Sequence, residues 1–348
     1  MKKFLALVLA LCMVFALCAC GQKAEAPAAA PEAAPAEEAA APAVHKLGMG
    51  VSVSTASTAD MNAQVDATFA AVVTDANGVI EACEIDCAQN KMDVSEGTVD
   101  TAKEFKTKME LGDDYNMVKF SDAVAEWYDQ ADAFAAYCIG KTAAEISGME
   151  LKTNEEGHQV TTDETLYASC SISIEAFIDA VVKACNDAWA VEFEADSFKL
   201  GVAANSTADE STDPAGEDAG VVKMYTEFAA AAVADDGTVL ACVNDAIQPQ
   251  IAFTKDGVGE ATFKGTKREL GDDYNMVKYG AAIAEWDAQS AAFSQYCVGK
   301  TAAEIEGLET VVNEEGHQVT TDETLFSSCT MSIGGMMAVI AKAATNAQ

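Results

Sequence analysis

The sequence Glu110-Leu-Gly-Asp-Asp-Tyr-Asn-Met-Val-Lys119 occurs twice in this chain, returning unchanged 159 residues later as Glu269–Lys278. A second block, Asn154–Leu166, returns at the same offset as Asn313–Leu325, with a single change in the residue that follows it. A period this long exceeds the unit of a solenoid, which is roughly 20–50 residues. The chain is therefore predicted to contain two copies of one domain, and any binding site should occur twice.

The N-terminus has the pattern of a bacterial lipoprotein signal. Lys2 and Lys3 precede the apolar run Phe4–Leu17, which is shorter than the roughly 20 residues of a membrane span. The run ends in Leu17-Cys18-Ala19-Cys20, which resembles the lipobox. The resemblance implies cleavage before Cys20, a diacylglycerol on its sulfur, and a lipid anchor on the extracytoplasmic face of the cell membrane. The alternative is a secretory signal that is cut elsewhere.

Composition and repeat boundaries divide the chain into four segments. They are the signal peptide 1–19, the lipidated cysteine with an Ala/Pro/Glu-rich linker 20–44, repeat 1 at 45–195 and repeat 2 at 196–348. The linker has no aromatic residue and is expected to bury no core. The formal net charge of −35 argues against nucleic acid as a partner, because such a surface repels phosphate backbones.

Three of the eleven cysteines belong to the signal region, and eight remain in the repeats. They show neither a Cys-x-x-Cys pair nor a Cys/His spacing typical of a metal site. Their neighbours are apolar, so we expect mostly free, buried thiols. A bridge between Cys87 and Cys185, which have no copies in repeat 2, is the alternative that an extracytoplasmic location allows.

Strand signals come first in each repeat. Apolar, β-rich runs flank Asp75-Ala-Asn-Gly78 and, in the second copy, Asp235-Asp-Gly237. Asn-Gly and Asp-Gly between such runs predict β-hairpins. The Gly-Asp-Asp-Tyr-Asn-Met block that follows is predicted to be a loop.

Helix signals come later. Apolar residues of Asp122–Ile139, among them Val124 and Trp127, recur at spacings of three and four, which predicts a helix. Thr142-Ala-Ala-Glu145 has the pattern of a capping box that opens a short helix. Amphipathic helices close both repeats, at Ile174–Ala188 and Ile333–Thr345. Together these patterns predict an α+β fold: two tandem homologous domains, each a small antiparallel sheet with packed helices.

Small hydroxyl residues lie directly before each closing helix, in Ser169-Cys-Ser-Ile-Ser173 and Ser328-Cys-Thr-Met-Ser332. The free N–H groups and the dipole of a helix N-terminus favour an anion such as a phosphate. The alternative interpretation is that Ser173 and Ser332 only cap the helices.

The order of these parts resembles the FMN-binding domain family, which includes flavoprotein subunits of the Rnf and Nqr type and related bacterial surface lipoproteins. The resemblance rests on Ala76–Ala82 with Asp236–Ala241, and on Ser169–Ala184 with Ser328–Ala344. A middle block of Tyr115-Asn-Met with Trp127 and Gln130 is similar to a lipoprotein branch related to that family. The resemblance implies one FMN in each repeat, with eight candidate cofactor-binding residues: Ser171, Ser173, Tyr115, Met117, Thr330, Ser332, Tyr274 and Met276.

In this family the FMN phosphate is often joined covalently to a threonine in a Ser-Gly-Ala-Thr turn. Carried over, that position falls on Ser171 and Thr330. This chain has Ser-Cys where the family has Ser-Gly-Ala, and the upstream aspartate has no clear match. The departures argue against covalent attachment, least strongly at Thr330. They leave non-covalent FMN and a fold that has lost its flavin as alternatives.

The resemblance implies an electron carrier at the cell surface with membrane redox partners. The alternative is a non-redox surface lipoprotein that binds a small ligand or a protein. A hydrolase is less favoured, because no Gly-x-Ser-x-Gly, His-Glu-x-x-His or phosphate-loop motif occurs. His158 and His317 lie among carboxylates, but each lacks a second histidine, so we expect surface loops there rather than metal or proton-relay sites. The acidic pairs Asp113-Asp114 and Asp272-Asp273 are likewise expected to be solvated loops.

Overall fold

The computed structural model describes residues 42–55, 61–280 and 282–348. The predicted signal peptide, Cys20 and nearly all of the linker lie outside the described residues. In the part that is described, no helix is both long enough and apolar enough to cross a bilayer. The α+β prediction is confirmed.

Repeat 1 contains a four-stranded antiparallel sheet in the order β3-β2-β1-β6. Its strands are β1 (Ala43–Ser54), β2 (Asn62–Thr74), β3 (Ile80–Asp93) and β6 (Val191–Ala195). The short strands β4 (Leu151–Thr153) and β5 (Gln159–Thr161) pair separately. The predicted hairpin turn joins β2 to β3, and Gly78 takes a positive φ of 78° that favours glycine.

Six helices accompany this sheet: α1 (Lys108–Leu111), α2 (Met117–Phe120), α3 (Trp127–Cys138), α4 (Ala143–Ser147), α5 (Glu164–Tyr167) and α6 (Glu175–Cys185). The predicted helix over Asp122–Ile139 was wrong at its start, since α3 begins only at Trp127. The Glu126 carboxylate accepts hydrogen bonds from the backbone N–H groups of Met117 and Val118, which keeps the preceding segment out of the helix. Val124 is accordingly 52% exposed rather than part of the apolar face. The predicted Gly-Asp-Asp-Tyr-Asn-Met loop contains a short 3-10 helix, Gly112–Tyr115.

Repeat 2 has copies of most of these elements, but the copies of β2 and β3 are interrupted, and in the described residues it has one additional strand and no copy of β6. Its strands are β7 (Lys199–Thr207), β8 (Gly220–Lys223), β9 (Tyr225–Val233), β10 (Val239–Ile247), β11 (Gln250–Thr254), β12 (Gly257–Thr262), β13 (Thr310–Val312) and β14 (Gln318–Thr320). They form the sheets β10-β9-β7, β12-β11-β8 and β13-β14. Pro249 stands where repeat 1 has Asn90, and a proline cannot donate to a strand ladder, which explains the interruption between β10 and β11.

The helices of repeat 2 are α7 (Lys267–Leu270), α8 (Met276–Gly280), α9 (Trp286–Cys297), α10 (Ala302–Glu306), α11 (Glu323–Phe326) and α12 (Gly334–Asn346). In each repeat, the closing helix and the longer preceding helix pack on one face of the main sheet. These are α6 and α3 in repeat 1, and α12 and α9 in repeat 2. The closing helices approach so tightly that a Cβ at Gly48 or Gly201 would lie 2.1 Å or 2.2 Å from a helix carbonyl oxygen.

The other faces of the two main sheets pack against each other. Phe69 of β2 and Phe228 of β9 meet there with their ring centroids 5.0 Å apart, and a single core cluster contains residues of both repeats. Residues 42–348 form one compact unit. Four layers result, in the order helix, sheet, sheet, helix. The predicted repeat boundary at 195/196 falls between β6 and β7.

Candidate functional site

Each hydroxyl turn is tied to a buried glutamine. The backbone N–H of Ser171 donates to Gln130 Oε1 at 2.9 Å, and Ser171 Oγ lies 3.3 Å from the same oxygen. Thr330 makes the same contacts with Gln289, at 2.9 Å and 3.3 Å. Both glutamines are completely shielded from solvent. The backbone N–H at the position that the resemblance assigns to a phosphate therefore already has a partner in both repeats.

The same glutamine also contacts the segment that carries Met117. Gln130 Nε2 donates to the carbonyl oxygen of Ala125 at 2.7 Å and lies 3.5 Å from Met117 Sδ. The structure thus brings Ser171 and Met117 to opposite sides of one amide. In repeat 2, Gln289 Nε2 donates to the carbonyl oxygen of Ala284 at 2.7 Å and lies 3.9 Å from Met276 Sδ.

The two serines nearest the closing helices do not cap them. Helix α6 begins after Ile174 and α12 after Ile333, and neither helix has a side-chain cap hydrogen bond. Ser332 Oγ instead accepts from the backbone N–H of Gln318 at 3.3 Å. The capping interpretation of Ser173 and Ser332 was therefore wrong.

The two tyrosines among the candidate cofactor-binding residues contact lysines. Lys108 Nζ lies 4.9 Å from the centroid of the Tyr115 ring and 5.2 Å from that of Trp127. In repeat 2, the ammonium of Lys267 lies near three rings: Tyr225, Tyr274 and Trp286 at 4.6, 4.9 and 5.2 Å. Cation–π contacts of this kind stabilise a buried ammonium. Trp127 and Trp286 are core residues, 3% and 4% exposed, as the helical spacing predicts.

The histidine loops lie at the surface. His158 and His317 are each more than half exposed, and their nearest carboxylates, Glu156 and Glu315, are 3.8 Å and 3.6 Å away. Asp163 caps helix α5 instead of facing the histidine. Within the described residues, no group of three or more histidine, cysteine or acidic side chains is placed to hold a metal ion.

Two buried aspartates form a second repeated feature. Asp86 Oδ1 accepts from the backbone N–H groups of Cys87 and Met109, at 2.6 Å and 3.0 Å. Asp245 Oδ1 accepts in the same way from Ala246 and Arg268, at 2.7 Å and 3.1 Å. Burial raises the pKa of each aspartate to about 6, although these hydrogen bonds act in the opposite direction.

Asp86 lies at a cleft between the repeats that we call the acidic cleft, with a volume of about 310 Å³. Repeat 1 contributes four carboxylates and repeat 2 an ammonium and two amides: Glu84, Asp86, Glu110 and Asp132, with Lys342, Asn346 and Gln348. Burial, followed by repulsion from Asp132, raises the pKa of Glu84 to about 7.

Asp245 lies at a corresponding cleft of about 290 Å³, which we call the arginine cleft. Here the contributions are reversed: Asp245, Arg268 and Glu269 come from repeat 2, and Lys183, Asp187 and Trp189 from repeat 1. Every one of these positions has its sequence copy in or beside the acidic cleft. The arrangement is reciprocal, like an isologous dimer interface within one chain.

Sequence reasoning missed both clefts. One sequence signal lies at their edges: the Thr-x-x-Glu pattern at Thr107–Glu110 and Thr266–Glu269, which predicts a capping box. Both segments are capping boxes in the structure. The contact of these glutamates with the opposite repeat was not visible in local sequence. Two larger depressions, about 550 and 450 Å³, are more open to solvent. The eight predicted cofactor-binding residues line none of these four spaces.

Compared with known proteins, the chain matches no protein-family model, no curated protein and no solved structure. Inferences about function therefore rest on the geometry of the described residues.

Proposed function

We propose that this chain is a lipid-anchored extracytoplasmic binding protein that takes small polar ligands in the clefts between its repeats. The observation that carries the proposal is that both clefts need both repeats. Each one combines a buried aspartate from one repeat with a lysine from the other. Convergent polar groups in a concavity at a domain interface are typical of small-ligand sites.

The size and charge of the clefts limit the ligand. Volumes of about 290 and 310 Å³ lie near the lower end of the usual range for ligand pockets. Both clefts carry charges of both signs, which favours small polar molecules over large apolar ones. The overall charge of −35 disfavours polyanions and supports the exclusion of nucleic acid as a partner.

The anchor is a separate part of the proposal. An acylated Cys20, followed by the Ala/Pro/Glu-rich linker, holds the repeats to the outer side of the cell membrane. Mass spectrometry of the mature N-terminus tests it, with diacylglycerol on Cys20 as the expected result. Cys20→Ala should leave the protein unacylated and release it from the membrane fraction. An unmodified N-terminus elsewhere in the chain would overturn the anchor.

Ligand binding is tested on the full-length protein in detergent micelles. Thermal unfolding is followed with a panel of small amino acids, carboxylates, sugars and nucleosides. A ligand that binds only the folded state raises the unfolding temperature with its concentration. Each effective ligand should lose its shift in either Lys183→Ala or Lys342→Ala but not in both, because each lysine lines a different cleft. A panel in which nothing shifts the transition contradicts the proposal.

An FMN-carrying electron carrier with membrane redox partners is the second candidate. The observation that favours it is that each repeat brings its hydroxyl turn and its methionine, Ser171 with Met117 and Thr330 with Met276, to the same glutamine side chain. A phosphate at these turns would have to replace the glutamine oxygen.

The visible absorbance spectrum of protein from its native host tests this candidate. A flavin band that survives denaturation means covalent attachment, and Thr330→Ala should then remove one flavin. A colourless protein that does not take up added FMN excludes it.

A further inference from the structure

Arg268 is the only arginine in the sequence, and it is buried. Its side chain is 6% exposed and lines the arginine cleft. Among the residues that the structure describes, none offers a hydrogen-bond partner to its Nε and Nη1 atoms. The nearest carboxylate, on Asp187, is 3.8 Å from Nη1, which is too far for a hydrogen bond.

An arginine in this state is costly to the fold. A guanidinium keeps its charge in proteins and offers five donors in a planar fork. Each buried donor without a partner costs about 1–3 kcal/mol, and more when the group is charged. Arg268 thus has donor capacity that the described residues do not use.

The other charged groups of the cleft already have partners. Asp187 accepts from the backbone N–H groups of Met49 and Trp189 at 3.1 Å and 2.8 Å. Asp245 accepts from the backbone of Ala246 and Arg268. The remaining ammonium, on Lys183, donates to the Val51 carbonyl oxygen and pairs with Glu269 and Asp179. The guanidinium fork is therefore the group with unused donors, and the Trp189 ring lies 5.7 Å from it.

We infer that the arginine cleft binds a free α-amino acid, with the ligand carboxylate on the Arg268 fork and the ligand ammonium toward Glu269 and Asp187. A carboxylate matches the fork in a bidentate geometry. The surrounding carboxylates repel a multiply charged anion such as phosphate and attract an ammonium. A zwitterion satisfies both requirements. This inference rests on the proposed function and names the ligand class of one cleft.

The acidic cleft provides a natural comparison. Met109 stands there where the arginine cleft has Arg268, and Asn346 stands where it has Asp187. The acidic cleft thus lacks the fork that would hold a carboxylate. One amino-acid site per chain is expected, although the fold is duplicated.

Calorimetric titration of the full-length protein in detergent micelles tests the inference. The probes are the common L-α-amino acids, their decarboxylated amines, the matching acids without the amine, and inorganic phosphate. At least one amino acid should bind with one site per chain and more tightly than its amine, its acid or phosphate. Tighter binding of phosphate or of the lone acid would overturn the inference.

Two variants of Arg268 check the residue itself. Arg268→Met installs the residue of the acidic cleft, and Arg268→Lys retains the charge without the fork. Each variant should weaken binding of the amino acid by at least about tenfold, which corresponds to about 1.4 kcal/mol of binding free energy. The far-ultraviolet circular dichroism should stay unchanged in Arg268→Lys. Undiminished binding by a folded Arg268→Lys or Arg268→Met protein would place the ligand elsewhere.

A gain of binding provides an independent check. The double variant Met109→Arg with Asn346→Asp rebuilds the arginine cleft in the other half and should bind a second amino acid per chain. If other ligands of the panel shift the unfolding temperature but no amino acid binds, this inference fails while the proposed function stands. If nothing in the panel binds, both fail.

Discussion

Lys342, in the last helix, donates to Glu110 of the opposite repeat across 2.6 Å. The copy of this pair runs the other way, from Lys183 to Glu269 at 3.2 Å. Each lysine also donates to a backbone carbonyl in the first strand of its own repeat. Lys183 donates to Val51 and Lys342 to Ala204. The two repeats are thus joined by a reciprocal pair of ionic contacts at the mouths of the two clefts.

Lys342→Met should lower the free energy of unfolding by roughly 1 kcal/mol, a value discounted because both partners are about one third exposed. Urea unfolding measures it, and a double-mutant cycle with Glu110→Gln should show coupling between the two residues. Lys255→Met is the matched control, since it removes the same charge from an exposed turn. Equal losses in Lys342→Met and Lys255→Met would mean that only net charge matters.

Gln130→Leu should destabilise the fold by roughly 1–3 kcal/mol, because it leaves the half-buried N–H of Ser171 and the carbonyl of Ala125 without their present partner. Gln289→Leu should have a similar effect in repeat 2. Gln295→Leu, on the exposed side of α9, is the control and should change the melting temperature little. If Gln130→Leu also leaves the melting temperature unchanged, the glutamine does not hold the turn.

Stability should increase as the pH falls from about 8 to about 5. Burial raises the pKa of Asp86 and of Asp245 to about 6, whereas an aspartate in an unfolded chain titrates near 4. Between these pH values the folded state therefore binds more protons than the unfolded state. The free energy of unfolding increases on acidification and decreases as the pH rises through about 6. Between pH 8 and pH 5 the expected change is roughly 1 kcal/mol for each aspartate, because one pH unit of differential proton binding is worth about 1.4 kcal/mol. Urea midpoints measured across this range check the direction.

Asp86→Asn isolates one aspartate from the general effect of net charge. The asparagine oxygen can still accept from Cys87 and Met109, so the variant should be more stable than the natural chain at pH 8 and show a shallower pH slope. Asp75→Asn is the opposite case. A hydrogen bond from the backbone of Val79 lowers the pKa of this exposed aspartate, so its titration lies below the tested range. An unchanged slope in Asp86→Asn would contradict the assignment.

The thiols should be present but slow to react. Among the eight cysteines of the repeats, Cys185 is half-buried and the others are buried. Burial raises the pKa of Cys87 and Cys185 to about 11 and that of Cys170 to about 12, so little thiolate exists at neutral pH. A thiol reagent should label the native protein slowly and detect eight thiols after denaturation without reductant.

Cys185→Ser should remove the fastest-reacting thiol, and Cys170→Ser is the buried comparison. A count below eight would indicate disulfides, for which the neighbouring pairs Cys83–Cys138 and Cys242–Cys297 are the candidates. Cys87 and Cys185, the alternative pair, are both free thiols in the structure.

Local chemistry made much of the fold predictable. The turn at Asp75–Gly78 depends on residues within four positions, and so does the capping box at Thr142–Glu145, which the structure confirms. The closing helices were predicted within a few residues of α6 and α12. These features need no information from the rest of the chain.

Long-range packing was not predictable in this way. The run Ala67–Val73 is buried on both sides because a helix layer covers one face of β2 and the opposite repeat covers the other. The sequence shows a continuous apolar run there, which is also compatible with a single helix layer. The clefts, the exposure of Val124 and the lack of partners at Arg268 all depend on contacts between distant residues. The FMN site remains a prediction. At its two phosphate positions, the backbone N–H groups of Ser171 and Thr330 already donate to glutamine side chains.

The meeting of Phe69 with Phe228 has a consequence for the ancestry of the chain. A polypeptide with one repeat would leave the inner face of its sheet open to water, and a second identical polypeptide would cover it. The duplicated gene is thus expected to descend from a self-associating single-repeat protein. Once two such halves are joined in one chain they can differ, as they do at Met109 and Arg268, so the two clefts need not bind the same ligand.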